Sequence, residues 1–172
     1  MSQIQVRNEA AVSIARDDLL SINERNHCFR AWDTIGGQTF TGSPLVINLD
    51  TVLINTSADL FSLAASEVTV KQTGLYQVSY NVTFQHASGS SAAVAFAWLE
   101  MEYGAGFYER DGTRVFVPLH GAGSGSGACQ TFLRMTANWR LRLRCQREWG
   151  SDTLTLPMRT CALSVLCLML LR

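Results

Sequence analysis

Residues 68–84 read VTVKQTGLYQVSYNVTF, and after Gly74 the large apolar side chains fall on every second position: Tyr76, Val78, Tyr80, Val82 and Phe84. Polar residues occupy the alternate positions Gln77, Ser79, Asn81 and Thr83. A period of two, built from β-branched and aromatic residues, specifies a strand with one buried and one wet face. A helix would scatter those five side chains around its circumference. Val68 and Val70 alternate before the break at Gln72-Thr73-Gly74, so the passage predicts two strands joined by a tight turn, with Gly74 at a positive φ.

The same reading extends along the chain. Strands are expected over Cys28 to Trp32 and residues 45–54. They follow at 92–103, apolar on both faces and so central in a sheet, then at 107–110, 114–119, 129–135, 139–147 and 160–171. Turn signals recur every eight to twelve residues and no helical stretch separates the strands. This predicts an all-β sandwich or barrel, not a βαβ fold. Residues 121–127, GAGSGSG, read as a mobile loop in which Gly125 carries no constraint; without a lysine or a following helix they do not make a phosphate loop.

The order of motifs resembles the jelly-roll module shared by the globular heads of complement and collagen-type proteins and by tumour necrosis factor. Phe29-Arg30-Ala31-Trp32 resembles the family's first strand, and residues 47–55 its next conserved segment. Residues 74–80, GLYQVSY, resemble the glycine-x-tyrosine strand, the most specific of the matches. Residues 131–143 resemble the late hairpin, with Asn138-Trp139 where Gly-Asp is usual, and residues 162–168 the terminal strand. The resemblance spans residues 28–170. It implies a ten-stranded, two-sheet jelly roll that forms a tight homotrimer and works by binding and avidity, without the family's collagen-like stalk. Function does not follow from such a fold alone.

The chain has 172 residues, 47% hydrophobic and 16% charged, with zero formal net charge. That length suits one domain with a core and an appendage. The apolar richness favours a subunit that covers part of its surface with copies of itself. Neutrality gives no field that would recruit nucleic acid. No apolar leader follows Met1, so the two glycosylation patterns at Asn55 and Asn81 carry no weight. The apolar run at 161–171 is too short to span a bilayer. Lys71 is the only lysine, the other 13 cations being arginine.

Residues 1–27 lack aromatics and place Val12, Ala15, Leu19 and Ile22 at helical spacing. They are expected to form an N-terminal docking arm, partly helical and too small to fold alone, with residues 28–172 as the jelly-roll domain. Tyr76, Tyr80, Phe84, Leu166 and Leu168 are the expected subunit interface. Arg140, Arg142 and Arg144 alternate with Trp139, Leu141 and Leu143, lining one strand face. They are either a solvated face or a patch for acidic groups on another subunit, a capsid or a polyanionic glycan. Glu100 and Glu102, two apart on one strand face, could be paired acids but are expected at an exposed edge or in a salt bridge at a subunit contact.

His27, His86 and His120 are scattered away from any cysteine or carboxylate at ligand spacing, so neither a metal nor a cofactor is expected. The five cysteines, Cys28, Cys129, Cys145, Cys161 and Cys167, have no C-x-x-C spacing and read first as buried thiols, with an intermolecular disulfide as the alternative. No nucleophile elbow or catalytic set converges, which argues against an enzyme. The first expectation is a virion accessory, a phage capsid decoration trimer or fibre head docked on a capsid protein. The second is an extracellular ligand for a receptor or carbohydrate.

Overall fold

A computed structural model describes residues 27–89 and 91–171. The arm stripe at Val12, Ala15, Leu19 and Ile22 lies outside the described residues. The strands are β1 Cys28–Trp32, β2 Thr39–Phe40, β3 Leu45–Val46, β4 Thr51–Asn55, β5 Phe61–Ala64, β6 Glu67–Val70, β7 Gly74–His86, β8 Ala93–Tyr103, β9 Gly106–Glu109, β10 Val115–Leu119, β11 Ser124–Met135, β12 Arg140–Trp149, β13 Leu154–Thr155 and β14 Ala162–Leu170. The described residues are all-β and form the expected two-sheet jelly roll. Three of the pieces, β2, β3 and β13, are only two residues long.

The first sheet runs β2-β13-β7-β14-β1-β4, with β11 on the other edge of β7; the second runs β10-β8-β12-β6-β5, with β3 on β12 and β9 on β8. All strand pairs are antiparallel. As its two-sided apolar pattern requires, β8 is flanked by strands on both edges.

The core forms where the two inner faces meet. Tyr76, Val78, Tyr80, Val82 and Phe84 of β7 are buried there with Phe29, Leu163 and Val165, facing Ala95, Ala97, Leu99, Leu141 and Leu143 of the second sheet. Phe61 stands 5.7 Å from Phe29 and 6.1 Å from Tyr76 between ring centroids. The Tyr80 hydroxyl reaches the carbonyls of Ala97, at 3.0 Å, and Thr113, and the Tyr76 hydroxyl donates to Gln72 O at 2.7 Å, so both polar tips on the inner row are satisfied. Tyr76, Tyr80 and Phe84 are 0%, 4% and 0% exposed in the single chain. This corrects their assignment to a subunit interface: the row is spent on the chain's own core.

Three turn expectations are also corrected. Residues 70–74 do not close a hairpin, because β6 belongs to the second sheet and β7 to the first. The late segment 131–143 likewise crosses from β11 in the first sheet to β12 in the second. The two crossovers support each other: Asn138 N–H donates to Val70 O at 2.6 Å, Val70 N–H to Trp139 O at 2.9 Å, and Ala137 N–H to Thr73 Oγ1 at 3.1 Å. Asn138, at φ 69°, makes the bend. Gly74 is not at positive φ; it is glycine because a Cβ there would sit 2.6 Å from the carbonyl oxygen of Met169.

Only the first part of the glycine-serine run, residues 121–123, is a turn; the rest is strand and not loop. From Ser124 onward β11 pairs with β7 along twelve residues, Ser124 opposite Gln85 and Met135 opposite Gly74. Its first two inward positions, Gly125 and Gly127, are glycine because β10 lies across them. A Cβ at Gly125 would meet Val117 Cγ1 at 2.6 Å and Pro118 O at 2.8 Å, and one at Gly127 would meet Val115 Cγ1 at 2.5 Å. Gly125→Ser is therefore expected to destabilise by about 1–3 kcal/mol through overpacking. Gly42→Ser, where added atoms meet open space, stays within about 0.5 kcal/mol. Thermal or urea unfolding of the two variants checks this; equal stabilities would overturn the packing account.

Candidate functional site

The outer faces of the two sheets differ in chemistry. On the second sheet, β8 presents Phe96, Trp98, Glu100 and Glu102 outward, opposite Gln146, Arg144, Arg142 and the start of β12. Arg140 donates to both oxygens of Glu102, at 2.8 and 2.6 Å, and to Glu67 at 2.6 Å. Arg142 donates to Glu100 at 2.7 Å, and Arg144 reaches the other oxygen of Glu100 at 3.1 Å. Trp98 Nε1–H also donates to Glu100, at 3.2 Å. The guanidinium of Arg142 lies 3.9 Å over the Phe107 ring, and that of Arg114 lies 4.4 Å over Phe96. Arg114 pairs in turn with Glu109.

This lattice corrects the reading of Arg140, Arg142 and Arg144 as a patch for an anionic partner. Three carboxylates of the same chain, Glu67, Glu100 and Glu102, already neutralise them. Glu100 is 5% exposed and survives burial because three donors converge on it. The partners are far apart in sequence, and only the pairing of β12 with β8 and with β6 brings them together.

The first sheet's outer face is the opposite. Strands β1, β7, β11 and β14 contain no Asp or Glu at any position. Their outward side chains make rows across the sheet: Cys28, Leu166, Gln77 and Phe132, then Arg30, Ser164, Ser79 and Gln130, then Trp32, Ala162, Asn81 and Ala128. Apolar side chains stand exposed around these rows, Phe132 at 59%, Leu168 at 45% and Ile54 at 41%. Leu166 is half-buried in the same field. Depletion of carboxylates at an apolar-rimmed centre is the composition of interface cores. Of the five proposed contact residues, Leu166 and Leu168 remain available to a neighbour.

All five cysteines are free within the chain. Burial pushes the Cys161 thiol up to about 11 and raises Cys145 further, so both behave as small hydrophobes. No group of His, Cys, Asp and Glu among the described residues is placed to hold a metal. No described helix is long and apolar enough to cross a membrane. Folding does bring His86 Nδ1 to 3.2 Å from Asp152 Oδ2, a pairing that sequence spacing conceals.

No family model matches the sequence, and no curated protein matches it. Solved structures do. Murine APRIL superposes with TM-score 0.58 at 10% identity, covering 83% of this chain and 98% of that one. Eiger TNF from S. frugiperda gives 0.55 at 12% identity, covering 83% and 92%. The globular domain of zebrafish complement 1qA gives 0.55 at 12% identity, covering 83% and 96%. The fold is the jelly roll of tumour-necrosis-factor and complement-type heads. At such identity the likeness speaks for fold alone.

Removing the buried carboxylate tests the lattice. Glu100→Ala leaves Arg142 and Arg144, each about one-fifth exposed (21% and 24%), without their main partner, at an expected cost of about 2–3 kcal/mol. Glu109→Ala, in a more exposed pair, costs under about 1 kcal/mol. Chemical denaturation of both variants should show that ranking.

The lattice also sets an acid limit. Hydrogen bonds from Arg140 hold the Glu102 carboxyl below its ordinary range. For Asp50, burial pushes upward but is outweighed by the hydroxyls of Thr34 and Thr51 and the N–H groups of Thr34 and Ile35, so its carboxyl also titrates low. Both are depressed in the folded state, so the unfolded chain binds protons first. Their stabilisation is full above an unfolded carboxylate pKa of about 4 and is lost as pH falls through the lower folded values. Melting temperature should be flat from pH 7 to 5 and fall steeply below about pH 4; a profile flat to pH 3 would contradict the assignment.

Proposed function

We propose that this chain is a non-enzymatic head that assembles as a homotrimer through the outer face of the first sheet and acts by multivalent binding. The observation that carries the reading is the contrast between the faces. One has its charges paired within the chain, and the other is free of carboxylates and rimmed by Phe132, Leu168 and Ile54. The likeness to tumour-necrosis-factor and complement-type heads supports a binding role. Residues 1–27, with their apolar stripe, supply the anchor in the role we favour: a virion accessory, a capsid-decoration or fibre-head trimer docked on a capsid protein. The second role is an extracellular ligand for a receptor or carbohydrate, favoured by the superposition on APRIL and Eiger TNF.

Light scattering of the full chain at low micromolar concentration should give about three times the 19.0 kDa monomer. Leu168→Glu should shift that mass to one chain while the far-ultraviolet spectrum stays β. A stable monomer in the parent protein would reject the trimer. Deleting residues 1–24 should leave the three-chain assembly and its melting temperature unchanged but abolish incorporation into particles. Undiminished binding of truncated trimers would reject the anchor.

A further inference from the structure

The carboxylate-free face has a shallow depression at its centre, about 420 Å³, lined by Arg30, Ser79, Asn81, Ala128, Gln130 and Ser164 among others. Pairing places Arg30, Ser164, Ser79 and Gln130 in one row across β1, β14, β7 and β11. With strands about 4.8 Å apart, side chains in such a row reach their neighbours. Unlike Arg140, Arg142 and Arg144, Arg30 stands in no ion pair among the described residues, and its Nε–H, like those of Arg110 and Arg144, is shut off from solvent with no acceptor. Two residues on, on the same face, the Trp32 indole N–H is also buried and without an acceptor. Buried donors lacking acceptors are costly. The surroundings offer hydroxyls and amides, all able to donate, and no competing carboxylate.

We propose that this depression is an oxyanion site, taking a small free anion of the sulfate or phosphate type. Arg30 supplies the charge and a planar fork suited to two oxygens of one anion. The hydroxyls of Ser79 and Ser164 and the amide of Gln130 supply neutral donors along the same row. Asn81 is already committed, its Nδ2 donating to Thr160 O at 2.9 Å, so it forms wall and not donor. Every donor comes from one chain, so the site is complete in each copy; in the trimer proposed above the bound anion would lie within the subunit interface.

The test uses the full chain. Melting temperature is followed against sodium sulfate and sodium phosphate, with sodium chloride at matched ionic strength, for the parent protein, Arg30→Gln and Ser79→Ala. The parent should show a saturating rise of about 3 °C or more with the oxyanions beyond that in chloride. Arg30→Gln should lose that increment, and Ser79→Ala should need several-fold more anion for the same rise. The control Arg134→Gln, on the same face but outside the depression, should keep the parent response. Equal rises in all variants, or none beyond chloride, would overturn the proposal. If anions have no specific effect but Arg30→Gln lowers the assembly mass, Arg30 is an assembly contact and the free-anion site is rejected. Should Arg30→Gln fail to fold, Ser79→Ala and Ser164→Ala decide between the same outcomes.

Discussion

Strand β7 is hydrogen-bonded along both edges. Gly74 to Gln85 pair with β11 on one side, and the other side is taken first by β14 and then, at Gln85 and His86, by β13. With both edges occupied, the strand cannot slip by one residue without turning Tyr76, Val78, Tyr80, Val82 and Phe84 out of the core. That constraint fixes the register of β11 and β14, and β14 in turn fixes β1. The second sheet is aligned on the first by the aromatic contacts that β7 offers inward and by the Tyr80 hydroxyl, which reaches two carbonyls of the facing layer. A single alternating stretch thus sets the geometry of two outer faces that it does not itself occupy entirely.

How much of this the sequence exposes depends on the range of the physics involved. Alternation is local, so β7, β8 and β12 were readable, as were the two-sided burial of β8 and the all-β class. Sheet membership is not local. Residues 70–74 and 135–139 look like hairpin turns because short polar connections join strands in either case. The crossovers are revealed only by hydrogen bonds between them, Asn138 to Val70 and Val70 to Trp139. The GAGSGSG run misleads for a related reason. Glycine signals freedom to a sequence reader, yet at Gly125 and Gly127 it marks the space where β10 crosses close by.

The arginine pattern shows the same division. Alternation correctly placed Arg140, Arg142 and Arg144 on one face, but what a face meets depends on its neighbours across the sheet. The register of β12 with β8 delivers Glu100 and Glu102, and β6 delivers Glu67. Those contacts convert a run of positive charge into a neutral, partly dehydrated lattice capped by Phe96, Trp98 and Phe107. Arg30 stands alone in an apolar strand, where no alternation of charge marks it.

Isolation is what makes Arg30 informative. A guanidinium on an open surface is solvated and needs no partner; one in an ion-pair lattice has partners supplied by its own chain. Arg30 fits neither case, since its Nε is hidden from water without a partner and carboxylates are missing from the four strands around it. An apolar residue at that position would pack against Ile54 and Leu166 at no electrostatic cost. Retaining a half-buried cation there is unfavourable for the isolated chain. Negative charge from outside the chain reaching the face would remove that deficit, which is the physical ground on which the proposed anion site stands.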